Sequence, residues 1–590
     1  MEGDMSSNRK RLFLFCGIGF LAVTAAVFAD GWPQWGQNPQ HSGFIPTLGQ
    51  NPNSKLASIT YDPFVAQEQA ENNGELLAHY LAPLTDGQDV FMEFIGGKYV
   101  SCNPLGSYSP FPCSNDNWFN QVWSEKRLHW QGGELVEKWS FTSDWKPEPD
   151  AGGELGGWQP VFSAAMSEDA VWVPGAGGTV FQLAKGSGQM IARFNPFGNT
   201  IDPNTFVSSP ITVDGEGNVY YNVLKLNITS DPNTNDPWAF GPNGDGNGVT
   251  DIPDAWLVKI SEDGEIHKVS YKSLTYNPAA PTTCKVTFAT SQLPWPPATG
   301  TPRTVRCLSQ RPGVNITPAI APDGTIYSVT VAHNPYASRY AYVVAFNPDL
   351  TVKWTASMRD RIHDGCGCGV LLPIGVPGGC RAGTPANGVD PATNEAPAGR
   401  VIDQSSSSPV VTPDGGVIYG SYTRYNYARG HMFRFGRNGA FKAAYDFGWD
   451  STPALYPHDG TNSIVIKDNH YDAGSYCNDN TICPVAPKGP YFITQLNPNM
   501  GMEWQFQNTS KDSTHNNGFE WCINAPAIDL SGKVFANSED GSLYVIKQGG
   551  TLSGKIFLNQ AIGAAYTPLS LSLNGTIYTE NDGILFAVGN

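Results

Sequence analysis

A single segment recurs eight times along the 590-residue chain, and its recurrence limits the fold more than any other feature. Its clearest copy is the stretch at residues 317–327, where a small residue and Pro318 precede an apolar alternation, Asp323-Gly324, and then Ile326 and Tyr327. Aligned on the proline, the copies fall at Pro83, Ala164, Pro210, Pro318, Pro409, Pro453, Pro526 and Pro568, so all but the second keep it. Alternation around a glycine able to take positive φ reads as strand, tight turn, strand. Proline at the start of a strand forfeits no ladder hydrogen bond. A second hairpin follows in the clearest copies, at residues 342–346 and 351–354.

Four strands per repeat, and spacings as short as the 42 residues from Pro526 to Pro568, match the ~40–50 residues of a propeller blade. A lone blade cannot bury its two faces, so the expected fold is all-β, an eight-bladed β-propeller closed into a ring. The last repeat leaves only 22 residues after Pro568. Its fourth strand must come from elsewhere, and residues 32–61, ahead of the first repeat, are the available source; joining the termini in one blade removes the sheet edge an open ring would expose.

Four spacings are far longer than a bare blade. The surplus falls after second strands (near residues 102–120, 227–254 and 470–488) or after fourth strands (residues 278–314 and 359–404). Both connections lie on the rim where the innermost strand begins, so one face is elaborated and the other plain. Function concentrates on loops carried by a rigid scaffold, which directs attention to the elaborated face.

Composition fits one large exported domain over residues 30–590. There are 64 Gly, 46 Pro and 16 Trp with 15% charged residues, as many turns and an aromatic-rich core require. A net charge of −17 excludes nucleic acid as the expected partner, since phosphate binding needs a basic surface. Arg9, Lys10 and Arg11 precede an apolar run at residues 12–28 that ends in Val27-Phe28-Ala29, so residues 1–29 read as a signal peptide, with an uncleaved anchor as the alternative. The expected location is secreted or periplasmic, with no stable membrane span after cleavage.

Loss of the signal peptide takes Cys16 and leaves ten cysteines, an even number for which disulfides are the default outside the cytosol. Proximity favours Cys102 with Cys113, Cys284 with Cys307 and Cys477 with Cys483; the remaining Cys366, Cys368, Cys380 and Cys522 have no partner fixed by sequence. The bridges would staple the loop insertions. A zinc site at Cys366-Gly-Cys368 lacks two further ligands at the usual spacing.

The stretch at residues 30–43, with Trp32, Trp35, His41 and Gly43, together with the Pro-x-x-x-x-Asp-Gly-x-Ile-Tyr repeat, resembles propellers with pyrroloquinoline-quinone-like repeats over residues 32–590. That family includes quinoprotein alcohol and sugar dehydrogenases and also members without a cofactor, so the resemblance implies fold more strongly than chemistry. The alcohol dehydrogenases stack the quinone on a disulfide between adjacent cysteines, and this sequence has no Cys-Cys pair; it also has no Cys-x-x-Cys-His for haem c. There is no Gly-x-Ser-x-Gly, P-loop or His-Glu-x-x-His.

Topology places a candidate set around the axis on the elaborated face. Residues ahead of the innermost strands are His79, Trp158, Gln159, Asn315, Gln404, Trp449, Asp450, Glu520, Trp521 and Asn524; the ends of second strands add Lys467, Asp468, His470, Glu539 and Glu580. Indole as platform with lysine and amides for orientation suits a flat polar small molecule, and Asp450 or Glu520 is the candidate base if catalysis occurs. The alternative is a water-filled polar channel with tryptophans that only pack blades. The expected partner is such a small molecule or an envelope or extracellular protein. Two functions stay open: a binding propeller, or a quinoprotein-type oxidoreductase using non-covalent quinone and Ca²⁺.

One loop is more specific. Asn243, Asp245, Asn247, Val249 (through its carbonyl), Asp251 and Asp254 occupy positions 1, 3, 5, 7, 9 and 12 of an EF-hand-like calcium loop with Gly248 at position 6. Asp in place of Glu at position 12 and flanks that read as loop and strand depart from the pattern, and a Gly/Asn-rich turn cluster that binds nothing is the alternative. Asp245→Ala removes a ligand no neighbour replaces. Elemental analysis should show Ca²⁺ lost from the variant and limited proteolysis should cut the surrounding insertion; equal Ca²⁺ in both proteins would refute the site.

Overall fold

The computed structural model describes residues 31–71, 74–76, 81–99, 120–147, 161–226, 253–274, 283–285, 304–306, 309–313, 315–333, 342–358, 407–422, 430–447, 451–469, 490–523, 525–562 and 567–590. Eight antiparallel sheets form the blades, each running in chain order from the innermost strand outward except at the outermost strand of the last. The innermost strands are Leu84–Asp86, Ala165–Met166, Thr212–Val213, Ala319–Ile320, Val410–Val411, Ala454–His458, Ala527–Ile528 and Leu569–Leu571, one just after each aligned repeat position. In blades 3 and 4 the inner edge is split, with Thr205–Val207 and Ser309–Pro312 pairing further along the second strand.

The ring closes through both ends of the chain. Blade 8 takes Leu569–Leu571, Ile577–Asn581 and Ile584–Gly589 from the C-terminus, and its outermost strand is Ser54–Thr60, antiparallel to Ile584–Gly589 with Ser54 opposite Gly589. The expected source of the missing strand is right, but only its last part serves. Residues 31–47 do something else.

That segment threads the axis and meets the blades in order. Thr85 N donates to Trp32 O at 3.0 Å, Met166 N to Pro33 O at 2.8 Å, Ile320 N to Pro39 O at 2.7 Å, Val411 N to Gln40 O at 2.9 Å, Leu455 N to Ser42 O at 2.7 Å and Ile528 N to Gly43 O at 2.8 Å. Blade 3 is served by a side chain, Val213 N donating to Gln34 Oε1 at 2.7 Å, and blade 8 by Thr47 Oγ1 donating to Leu573 O at 2.8 Å. An innermost strand has one edge with no neighbouring strand, and buried amides there must find acceptors. The segment supplies one for nearly every blade. His41 marks how completely it fills the axis: fully buried, it contacts Pro409 O of blade 5 at 2.9 Å through Nδ1 and Thr212 Oγ1 of blade 3 at 3.4 Å through Nε2, with Trp35 edge-on at 5.2 Å. Burial depresses its imidazole to about 4, so it is neutral there.

Neighbouring blades are keyed together by tryptophan on glycine. Trp139 of blade 1 covers Gly188 in the last hairpin of blade 2, where a Cβ would lie 2.6 Å from the ring, and its Nε1 donates to Lys185 O at 2.9 Å. Trp354 repeats this on Gly439 of blade 5, with Nε1 donating to Arg437 O at 2.7 Å. Both glycines have positive φ, so no other residue fits either the backbone or the space.

Strand boundaries place the long connections where the spacing predicted, between second and third strands (from Gly97 to Gln121, Lys225 to Asp254 and Asn469 to Tyr491) or after fourth strands, between blades 3 and 4 and between blades 4 and 5. Most of their residues, and with them the proposed disulfides, lie outside the described set. Cys522 is the exception: it is buried in the segment leading into blade 7 and, among the described residues, is a free thiol.

Gly43, at φ +63° with Ala454 Cβ and Pro526 O each 2.8 Å from where a Cβ would stand, is a point of the axial segment where a side chain fits neither the backbone nor the space. Gly43→Ala should therefore destabilise the whole ring by about 1–3 kcal/mol, read as a lowered urea midpoint in a single transition; an unchanged midpoint would contradict this packing.

Candidate functional site

On the elaborated side, the described candidates converge at the junction of blades 6, 7 and 8. Lys467 lies near the end of the second strand of blade 6, Thr461–Asn469, and is wholly buried. Two residues on, Asn469 clamps the segment leading into blade 7: Trp521 N donates to its Oδ1 at 3.1 Å and its Nδ2 donates to Trp521 O at 3.3 Å. Glu520 and Trp521 are thereby fixed against the last turn of Val534–Asn537. Ser538 Oγ and Glu539 N both donate to Glu520 O, at 2.9 and 3.0 Å, and Asn508 Nδ2 donates to Ser538 Oγ at 2.6 Å. Blade 8 joins through Thr567 Oγ1, which donates to Cys522 O at 2.9 Å, and through Asn537 Nδ2, which donates to Thr579 Oγ1 at 2.6 Å.

Cys522 reports the electrostatics of this junction. Its thiol is pushed well above its usual range first by burial, then by the carboxylates of Glu539 and Glu520, while Lys467 acts in the opposite sense. Glu520, Glu539 and Lys467 thus gather around one point, with Glu520 half-buried and Glu539 8% exposed. The thiol is protonated at neutral pH and is no nucleophile. One cation between two anions suits hydrogen bonding to a polar ligand from both a donor and acceptors.

Other candidates are placed differently. Trp521 is fully buried, with Phe506 at 5.9 Å and Tyr544 at 5.0 Å packed on its ring; this indole is core, not a platform. Asp468, beside Lys467, accepts from Tyr445 at 3.0 Å and Thr494 at 2.9 Å and so ties blade 5 to blade 6. Asn315 is buried at φ +55° in the bend between the two inner-edge pieces of blade 4. Glu580 is away from this junction, enclosed between blades 8 and 1. Asp254 opens the third strand of blade 3, and its Oδ1 accepts from Ser270 Oγ at 2.5 Å and from Ala255 N at 2.8 Å. His79, Trp158, Gln159, Gln404, Trp449, Asp450, His470 and Asn524, with Asn243, Asp245, Asn247, Val249 and Asp251, lie outside the described residues. Sequence reasoning passed over Asn469, whose signal was its place at the end of a second strand, beside the chosen Lys467 and His470.

Among the described residues no helix is long and apolar enough to cross a membrane, and no group of three or more His, Cys, Asp or Glu is arranged to hold a metal ion.

No protein-family model and no curated protein matches the chain by sequence. Among solved structures it is similar to a europium-containing methanol dehydrogenase, with a TM-score of 0.50 at 10% identity over 93% of this chain and 89% of that one. It is equally similar to the quinohemoprotein alcohol dehydrogenase of Comamonas testosteroni, with a TM-score of 0.50 at 12% identity over 95% of this chain and 81% of that one. Identity this low carries the fold alone, and the fold is what the repeats led to: an all-β, eight-bladed propeller of the kind on which quinoprotein alcohol dehydrogenases are built.

Proposed function

We propose that the protein is an exported propeller that binds a small polar ligand, or a partner presenting one, in the axial funnel of its elaborated face. The observation that carries this reading is the axial segment. With residues 31–47 hydrogen-bonded to the inner edges around the ring, the axis is occupied by the chain itself, and the reading puts the ligand beyond that segment, on the elaborated side. A scaffold-walled recess with a few convergent polar groups is the usual form of a ligand site. Lys467, Glu520 and Glu539 are the groups that would meet the ligand, with Asp450 and Trp449 as the corresponding pair ahead of blade 6. Disulfides in the insertions would hold the mouth of the recess in shape, and the loop from Asn243 to Asp254 would bind Ca²⁺ in a structural role.

Quinoprotein-type oxidation of an alcohol or sugar is the second reading, favoured by the fold shared with two alcohol dehydrogenases. Pyrroloquinoline quinone carries three carboxylates and a flat ring. Against it the described residues set one lysine between two glutamates and an indole already covered on its ring. That set does not fit the quinone, so the first reading rests on binding and not on quinone chemistry.

Glu520→Gln keeps shape and removes charge. A panel of quinones, sugars and primary alcohols, titrated with and without Ca²⁺ and followed by absorbance and tryptophan fluorescence, should give saturable binding of at least one compound. Glu520→Gln and Asp450→Asn should each weaken that binding roughly tenfold, about 1.4 kcal/mol for one charged hydrogen bond, with little change in melting. No binding by the wild type, or binding indifferent to both substitutions, would overturn the reading; a quinone spectrum that appears only with Ca²⁺ would favour the second.

A further inference from the structure

The seam where the ring closes holds a second group of carboxyls, unconnected with the axial recess. Glu93, in the second strand of blade 1, stands directly opposite Glu125 in the third. Glu580, in the second strand of blade 8, comes against them from the other side of the seam and acts on Glu93 electrostatically. All three are buried, at 2%, 1% and 0% exposure. The chain leaving the closing strand Ser54–Thr60 covers them with Tyr61, Asp62 and Glu68, themselves buried. Tyr61 is pinned to both blades, its N donating to Gly583 O at 2.9 Å and its O accepting from Ile95 N at 2.8 Å.

Among the described residues no hydrogen bond of ordinary geometry reaches either carboxyl oxygen of Glu93, or Oε1 of Glu125; Glu580 is touched only by the Tyr61 hydroxyl, which acts on it as a weak donor. The charges acting on Glu93 are those of Glu580, Glu125 and Asp62, and those acting on Tyr61 are Glu580, Asp62, Glu93 and Glu68, every one negative. Directly opposed like charges repel, and a buried carboxylate with neither cation nor donor is heavily penalised. These oxygens are tolerated only as neutral acids.

We propose that Glu93, Glu125 and Glu580 form a proton-operated latch on the blade 8–blade 1 seam, closed while the carboxyls are neutral and released when they ionise. Burial, then neighbouring carboxylates, hold Glu93 well above the usual glutamate range; burial does so for Glu580 against the opposing Tyr61 hydroxyl, and burial lifts Glu125 to about 8. Groups raised in the folded state bind protons more tightly there than in the unfolded chain. Their contribution is therefore complete below the unfolded value near 4.5 and is lost as pH rises through the folded values. Within that window each group weakens the folding equilibrium about tenfold per pH unit. Depressed aspartates such as Asp202, Asp323 and Asp414 act below the ordinary Asp range and do not overlap it.

The test is urea unfolding of the full chain from pH 5 to 8, for wild type, Glu93→Gln and Glu93→Gln/Glu580→Gln, with EDTA or with Ca²⁺. Glutamine mimics the neutral acid, so the variants should lose stability less steeply with pH, the double variant by at least a hundredfold less in the folding constant between pH 5.5 and 7.5. Hydrogen exchange, corrected for its intrinsic pH dependence, should speed up over residues 54–61 as pH rises in the wild type and not in the double variant. Should the double variant fail to fold, the single one carries the comparison. Parallel pH profiles would overturn the latch, as would Ca²⁺ stabilising the wild type at pH 8 but not Glu93→Gln, which would make the cluster a cation site.

Discussion

Six backbone amides on the inner edges of six blades donate to carbonyls of one short segment, and the rest of the architecture depends on that convergence. Each such bond contributes only about 0.5–1.5 kcal/mol net, but leaving a buried amide unpaired costs more than making the bond gains. A propeller with a bare axis would leave these inner edges to water. Here residues 31–47 satisfy them in blade order and then continue into the strand that closes blade 8, so one stretch, residues 31–60, ties the inner edge of the ring to its outer seam. Blade registration and ring closure share a single cause.

Both functional readings place a ligand beside the junction of blades 6, 7 and 8. That junction is polar but economical: Lys467, Glu520 and Glu539 gather near Cys522, while the neighbouring Asn469, Asn508, Ser538 and Thr567 are used up in joining blades. It is rigid because its hydrogen bonds cross blades, and rigidity lets a site orient a ligand without an ordering cost at binding. The seam cluster obeys the opposite rule. There the polar atoms are unmatched, and the fold admits them only uncharged, which makes closure of the ring responsive to protons.

Much of the fold was legible because its determinants are local and repeated. The proline and Asp-Gly of each copy mark where an inner strand starts and turns, and the 22 residues after Pro568 forced the N-terminal part of the chain into blade 8. What sequence did not show was long-range pairing. Nothing periodic in Trp32-Pro-Gln-Trp35 announces a segment whose partners lie fifty to five hundred residues away, and sequence could not say that within residues 32–61 only Ser54–Thr60 is the closing strand. Trp521 looked like a platform because rim position says nothing of which way an indole turns. Glu93 gave no signal at all, being an acid in an otherwise apolar strand whose buried neighbours come from the far end of the chain.

Native-state hydrogen exchange at the amides of Met166, Ile320, Val411, Leu455 and Ile528 tests the central claim most directly, since each donates to the axial segment and to nothing else in its own sheet. If that segment organises the ring, these five should exchange together and only through global unfolding, at the rate of the best-protected strand amides. Exchange at loop rates, with the second and third strands of the same blades still protected, would show that the segment rests on a ring already complete without it.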